Sequence, residues 1–357
     1  VVDRLAPRGG PTIARITITD IAREAGLSKG AVSYALNGQP GVSEATRRRV
    51  REIADRLGWH PSQAARSLSS SRAEAIGLVL GRPPRLLALE PFYMEFISGI
   101  ESVISRCGTA LLLHVAEKAD GECETYRRWW AQRRVDGVIV VDLTAGDERV
   151  PLIRDLQIPA VFVGVPTSHP DEPQRVGGNV CVRTDDGVAM RDAILYLARL
   201  GHRRIARVAG APRYLHIAAR DEAFVTTAAE CGLGDVRVVQ TDYSGEAGAR
   251  ATRQLLSAPE PPTAIVFDND IMAVASLGVA AELGFDVPGD LSLLAWDDSP
   301  LCEITHPALS AMHRDVAALG AVAATSLLHH IAGGSEEVSA VAATSLIVRG
   351  STGRARM

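Results

Sequence analysis

Two sets of residues carry most of the chemistry open to this chain. The first is acidic. Asp268, Asn269 and Asp270 follow the apolar run "AIVF", and Asp297 and Asp298 follow "LSLLAW". Carboxylates and an amide at the ends of buried strands can pair the hydroxyls of a sugar, and a ring such as Trp296 or Tyr243 offers an apolar face to a pyranose. An aspartate pair also suits acid–base work, but no Walker loop, GxGxxG after a strand, GxSxG or HExxH accompanies it. Hydroxyl binding is the better match. Structural alternatives stand beside it: Asp268 and Asp270 sit where a helix starting near Ile271 needs a cap, Asp270 the more so, and Trp296 also reads as core. The second set is polar and basic. In "TITDIAREAGLSKGAVSYALN", Thr17 to Asn37, the residues Lys29, Ser33, Tyr34 and Asn37 fall off the apolar face of a short helix.

The elements that position the second set can be read from spacing. Thr17 and Asp20 fit a helix start, and Ile18, Ile21, Ala22 and Ala25 recur at helical intervals. Gly26 permits a sharp turn, Ser28 caps a second helix with Val32, Ala35 and Leu36 on one side, and Gly38 ends it. Ser43 caps a third, striped by Val50, Ile53, Ala54 and Leu57. Three such helices bury one small core and leave the second polar outward. That is the helix-turn-helix design, with an ordinary helical hairpin as the alternative. Charge favours the first. Residues 1–72 hold 12 Lys+Arg against 6 Asp+Glu, whereas the remaining 285 residues hold 26 against 36. A basic head on an acidic body is the footprint of phosphate contact, densest at Arg47, Arg48, Arg49 and Arg51.

The elements that position the acidic set lie in an α/β body. From Ala75 onward eight apolar runs read as strands: 75–80, 110–115, 137–141, 160–164, 204–210, 236–240, 264–268 and 291–296. Helical patterns fit near 92–107, 122–134, 186–200, 219–231, 246–257 and 270–283. Apolar strands joined by crossover helices mean parallel sheets covered on both faces, and the number of strands implies two similar lobes split near Val165. No apolar run is long enough to span a membrane. Val1 to Arg15 reads as a disordered tail without a secretory core. Cys107, Cys123, Cys181, Cys231 and Cys302 fit neither a disulfide framework nor a zinc site, and neither cofactor nor metal is expected.

The stretches "TITDIAREAGLSKGAVSYALNG" and "VSEATRRRVREIADRLGWHPSQAARSL" together resemble the DNA-binding head of the bacterial LacI/GalR (lactose-repressor) regulators. "PFYMEFISGIE", "RVDGVIVVD", "RTDDGVAMRDAILYLARLGHRRIARVAG", "DNDIMAVASLGVAAELGFDVPGDLSLLAWDDSPL" and "SLIVRGSTG" extend the likeness to about Gly353. The resemblance implies a head over 16–60, a hinge helix and linker over 61–74, and a two-lobed effector-binding and dimerisation body over 75–357. That body is related to periplasmic sugar-binding proteins. Lobe 1 would take about 75–165 and 316–338, and lobe 2 about 166–315 and 339–357. By position, Lys29, Gly30 and Tyr34 would read bases, while Ser28, Ser33 and Asn37 would hold backbone phosphates. Gly30 offers no side chain for a bidentate contact. In the hinge helix, Leu68 would wedge a base step in the minor groove, lined by Ser62, Ala65 and Arg66. Without the resemblance that segment reads as a plain linker, with Leu68 packed on the body.

The resemblance also implies an effector site between the lobes. Phe92 and Tyr93 would approach from lobe 1, and Tyr243, Asn269, Trp296 and Asp297 from lobe 2. Arg220 matches either the family's effector clamp or its neighbour, with His216 as a substitute in the second case. The implied function is a cytoplasmic, nucleoid-associated, homodimeric transcription regulator, a repressor on double-stranded operator DNA that responds to a small molecule, a sugar by family precedent. A corepressor-type regulator answering a purine-like metabolite is the alternative within the class. A sugar-processing enzyme with an added helical domain is the alternative outside it.

Overall fold

The computed structural model describes residues 16–59, 72–87, 90–116, 120–166, 175–176, 178–334 and 343–356. The chain forms two compact units divided after Ser71. In the first, α1 (Ile18–Ala25), α2 (Lys29–Leu36) and α3 (Glu44–Arg56) pack their stripes into one core of Ile21, Ala22, Ala25, Val32, Ala35, Val50, Ile53 and Ala54. Gly26 adopts the left-handed backbone, φ 65°, that the tight turn after α1 requires. At the start of α1 Thr17 and Asp20 form a capping box, in which the Thr17 hydroxyl donates to the Asp20 carboxylate at 2.7 Å and the carboxylate also takes the Thr17 N–H at 2.9 Å. The expected tail, 1–15, and the hinge residues Ser62, Ala65, Arg66 and Leu68 lie outside the described residues.

The second unit holds two six-stranded sheets. The first is built from β1 (Ala75–Leu80), α4 (Pro84–Leu87), α5 (Pro91–Ile104), β2 (Ala110–Val115), α6 (Asp120–Ala131), β3 (Gly137–Val140), α7 (Arg149–Asp155), β4 (Ala160–Pro166), β5 (Arg175–Val176) and β6 (Asn179–Thr184). The second follows: α8 (Asp186–Arg199), β7 (Arg204–Ala209), α9 (Leu215–Glu230), β8 (Asp235–Gln240), α10 (Gly245–Leu256), β9 (Ala264–Phe267), α11 (Asp270–Glu282), β10 (Ser292–Trp296), α12 (Pro300–Ile304) and β11 (Ser310–His313). Then α13 (Val316–Ile331) returns to the first sheet and β12 (Ser345–Ile347) to the second. Strand orders are 2-1-3-4-6-5 and 12-11-10-9-7-8, parallel except for the pairs β5/β6 and β11/β12. Every residue of β1, β3 and β9 is buried, as helices on both faces of a sheet dictate. All eight apolar runs form strands.

Two boundaries differ from the sequence reading. Lobe 1 does not end near Val165, because β6 pairs with β4 from Val161↔Val180 to Pro166↔Thr184. The first crossing therefore follows Thr184. "NVCVRT" mixes too many polar residues to stand out as an apolar run, and only the pairing places it. For the same reason β11, "SAMH", passes unread. The linker does not extend to 74 either. The N–H groups of Ala73 and Glu74 donate to the Asp136 carboxylate at 2.7 and 2.8 Å, which ties them to the body. The return of α13 depends on two glycines. A Cβ on Gly99 would stand 1.9 Å from the Ala317 carbonyl oxygen, and one on Gly320 would stand 2.1 Å from that of Phe96. The backbones of α5 and α13 meet there, and no other residue type fits.

Candidate functional site

In the head, the residues expected to meet DNA share one solvent face. Ser28, Lys29, Gly30, Tyr34 and Asn37 are exposed, Tyr34 by 53%, and Ser33 is half-buried. Val32 and Ala35, on the opposite side of α2, are fully buried and hold that face outward. The Ser28 hydroxyl accepts the Ala31 N–H at 3.1 Å, so the cap also fixes the N-terminal end of the polar face. Asn37 donates to the Ser33 hydroxyl one turn away, 3.3 Å. A Cβ on Gly30 would meet only the Ser28 hydroxyl, at 3.9 Å. Nothing inside the head requires glycine at that position.

In the body, the strand ends of both sheets line one cleft of about 900 Å³, counting its solvent-open mouth. Arg82 follows β1, Asp142 follows β3, and Thr184 ends β6. Opposite them stand Tyr243 after β8, Asp268 to Asp270 after β9, Asp297 to Ser299 after β10 and Arg314 after β11. This is where open α/β sheets place ligands. Local backbone aims three of these side chains. Asp142, Tyr243 and Asp297 have φ of 53°, 71° and 59°, in the left-handed region that non-glycine residues rarely adopt.

Most of the charge in the cleft is internally paired. Arg82 donates through Nε and Nη2 to the Asp142 carboxylate at 2.9 and 3.2 Å. Burial opposes ionisation of Asp142, but Arg82 overcomes it and holds the carboxyl well below its usual range. Asp186 accepts from Arg220 and from Arg314, each at 2.7 Å, and is likewise held low against its burial. Asp268 accepts from Arg207 at 2.9 and 2.7 Å and from the Gly210 N–H at 2.8 Å. His216 is pushed down to about 4 by burial and the nearby Arg220, which keeps it neutral at physiological pH; it lies 3.0 Å from the Tyr243 hydroxyl. Four acids that line the cleft have no guanidinium in hydrogen-bonding range: Glu90, Asp270, Asp297 and the half-buried Glu95. Asp297 has a buried Oδ1 with no hydrogen-bond partner, and burial raises its carboxyl. Glu90 is raised to about 7 and Asp270 to about 6, burial being the main cause in both.

Six of the seven residues expected at the effector site line this cleft: Phe92, Tyr93, Arg220, Tyr243, Asn269 and Asp297. Trp296 does not. Its side chain is fully buried in the core beside Leu197, Phe224 and Met312, with Arg220 3.9 Å above the ring. Alternation along β10 turns Trp296 into the core and leaves Asp297, past the strand end, at the cleft. Tyr243 lines the cleft, yet Arg82 lies 4.7 Å from its ring centre, on a site expected for a sugar ring. The helix cap also moves: Asn269, not Asp268 or Asp270, caps α11 by accepting the Met272 N–H at 2.9 Å, and its Nδ2 donates to the Tyr243 carbonyl. Arg220 is engaged by Asp186, but its guanidinium still borders the cleft. Sequence reading missed Arg82, Glu90, Asp142, Asp186 and Arg314. Of these, Asp142 directly follows an apolar run and Arg82 lies one residue past another, the signal used for Asp297 and not applied to lobe 1; Glu90, Asp186 and Arg314 follow no such run.

Residues 17–62 match the family described as bacterial regulatory proteins, lacI family, and residues 194–352 match the periplasmic binding protein-like domain. The regulator MalR of Streptomyces coelicolor is 32% identical over 95% of this chain and 97% of its own length. The regulator CelR of Thermobifida fusca is 29% identical over 94% and 98%. Among solved structures, a CelR–cellobiose complex (29% identity, TM-score 0.70) covers 94% of this chain and 100% of its own. The lac repressor dimer bound to operator and the anti-inducer ONPF (24%, TM-score 0.82) covers 95% and 99%, a likeness of fold. The same order of head and two-lobed body along nearly the whole length, with a relative 32% identical, settles the relationship: this chain belongs to the LacI family of helix-turn-helix transcription regulators.

Proposed function

We propose that this chain acts as a homodimeric, cytoplasmic repressor whose grip on operator DNA is set by a small polar ligand in the interlobe cleft. The observation that carries the reading is the division of α2. One side of the helix is consumed by the core, and the other presents Ser28, Lys29, Gly30, Tyr34 and Asn37 to solvent in a chain of a DNA-binding family. Lys29 and Tyr34 would read base edges, and Gly30 would let the backbone approach them. Ser28, Ser33 and Asn37 would position the helix on phosphates. Leu68, with Ser62, Ala65 and Arg66, would act at the centre of a pseudo-palindrome where two hinge segments meet.

The ligand half of the reading is supported by a cleft lined from both sheets, with a buried carboxylate oxygen of Asp297 that has no partner of its own. Such an oxygen suits a ligand donor, and a sugar supplies donors in number. The named complex of a relative with cellobiose points the same way. A ligand that prefers one lobe arrangement by about 5 kcal/mol would move operator occupancy from nearly full to nearly empty. Binding rather than turnover is the proposed role of the acids, since each paired one is locked to an arginine.

Selection of fragmented genomic DNA on the purified protein at near-physiological salt tests the reading. A two-fold-symmetric motif is the expected product, released by extract of cells grown on the right carbon source. A folded dimer that enriches no motif, with or without extract, would sink it.

A further inference from the structure

The charge pairing of the cleft leaves a remainder. Arg82 serves Asp142, Arg220 and Arg314 serve Asp186, Arg207 serves Asp268, and Arg349 serves Asp298 at 2.5 and 3.0 Å. Glu90 and the less buried Glu95 from the first lobe, and Asp270 and Asp297 from the second, are left over, and all four line the cavity. Glu90 is 91% buried by its 9% exposure, its Oε1 has no hydrogen bond, and the nearest cation is Arg82, whose Nη1 stands 3.9 Å away while its Nε and Nη2 bond Asp142. Asp297 Oδ1 is likewise buried and unpartnered. Asp270 is bonded to the Ser299 hydroxyl and the Ile271 N–H, neither of them a cation.

Burying an ionised acid without a full counter-charge is costly, and such a group either keeps its proton or meets a charge supplied from outside. Among the described residues no three acidic, histidine or cysteine side chains converge tightly enough to hold a metal ion. The remaining match is an organic cation with donors spread over several ångströms. Phe92, half-buried on the cleft wall and packed edge-on against Tyr93, offers a ring face for its apolar side.

We propose, on the basis of the effector reading above, that the ligand is a sugar-sized polyol bearing a protonated amine, with Glu90, Asp270 and Asp297 receiving the ammonium and its neighbouring hydroxyls. Ammonium donors to carboxylates form short, charge-assisted hydrogen bonds, about twice as strong as neutral ones. A neutral sugar would leave the remainder uncompensated.

The test is calorimetric titration of the full chain with D-glucosamine and D-galactosamine, each set against its neutral parent sugar and its N-acetyl form, with cellobiose as a further neutral probe. At least one amine should bind at least about tenfold more tightly than its parent near neutral pH. Its affinity should fall below pH 6, where the carboxylates protonate. Glu90→Gln and Asp297→Asn, each shown to be folded by circular dichroism, should lose most of that preference. A preference that survives both substitutions overturns the placement. A neutral sugar bound as tightly as its amine overturns the proposal and leaves the effector reading intact. If no probe binds, the amine proposal falls; cell extract then separates the cases. Release of operator by extract keeps the effector reading, and its failure removes that reading too.

Discussion

On α2, the side chains proposed to meet DNA stand mostly in water and owe their position to the opposite face of the same helix. In the cleft, nearly every polar side chain is held by another polar side chain, and several by two. The head therefore separates what keeps it folded, Val32 and Ala35 inward, from what it presents, Lys29 and Tyr34 outward. The cleft does not. Arg220 borders the ligand space and also neutralises Asp186, and Asp186 in turn holds Arg314. A surface of the first kind can change specificity one residue at a time. A network of the second kind carries stability and recognition in the same atoms, so that altering either moves both.

The sharpest way to break this contrast is to remove a member of the network that touches no ligand. Arg207 is fully buried, and its guanidinium serves both Asp268 and Asp221. Arg207→Met preserves bulk and leaves Asp268 buried with only the Gly210 N–H and the more distant Arg220. A loss of about 3–5 kcal/mol in unfolding free energy is expected from urea titration. A loss below about 1 kcal/mol would mean that Arg220 alone can neutralise Asp268, and that the network is looser than its geometry implies.

The second test uses pH. Glu90 and Asp270, raised by burial to about 7 and about 6, contribute stability that is complete below their ordinary values of 4.5 and 3.8 and is lost as pH rises through the folded values. Asp142 and Asp186 act oppositely, contributing above 3.8 and failing only in strong acid. Unfolding free energy should therefore peak near pH 4–5 and decline toward pH 8, with Glu90→Gln removing on the order of 2 kcal/mol of that decline. In the head, Asp20 is held below its ordinary value by the Thr17 N–H and then by the Thr17 hydroxyl, so its share of stability is retained across this range. A flat profile would show that water relieves Glu90 and Asp270 more than their burial suggests.

These differences track what can be read from sequence. All three head helices follow from apolar spacing and caps, because the forces that fix them act within a few residues. The eight strands read from the sequence follow from their apolar runs. β6 and β11 do not, since a strand of four to six mixed residues is specified by its neighbours in the sheet. In the cleft, Asp297 is legible as a polar residue at a strand end, whereas the Arg82–Asp142 pair joins residues 60 positions apart and emerges only when β1 and β3 lie side by side. Trp296 shows the other limit: one residue along a strand inverts the face, and sequence alone leaves its side open.

Within the head, Lys29→Ala should leave stability within about 0.5 kcal/mol, since the side chain is exposed and supports nothing. Operator binding should weaken by about 1–2 kcal/mol. If Lys29 reads a base, the loss will be concentrated at one operator position. If it meets a phosphate, all sequences will weaken together and the salt dependence will drop by about one counter-ion. A stability loss as large as the binding loss would remove the distinction between the two surfaces.

Ser28 is a place where the head resembles the cleft, because its hydroxyl both caps α2 and is proposed to meet a phosphate. Ser28→Ala should cost about 1 kcal/mol of stability, the usual value of an N-cap, in a helix of only eight residues that depends on its ends. The two roles separate in Ser28→Asp. Aspartate caps about as well as serine, so stability should return to that of the parent chain, while the added negative charge repels the DNA backbone. The expected pattern is an alanine variant that is less stable, and an aspartate variant that is stable but binds operator weakly at low salt and recovers in part as salt screens the charge. Should the aspartate variant bind as well as the parent at every salt concentration, Ser28 faces no phosphate, and its hydroxyl serves the fold alone.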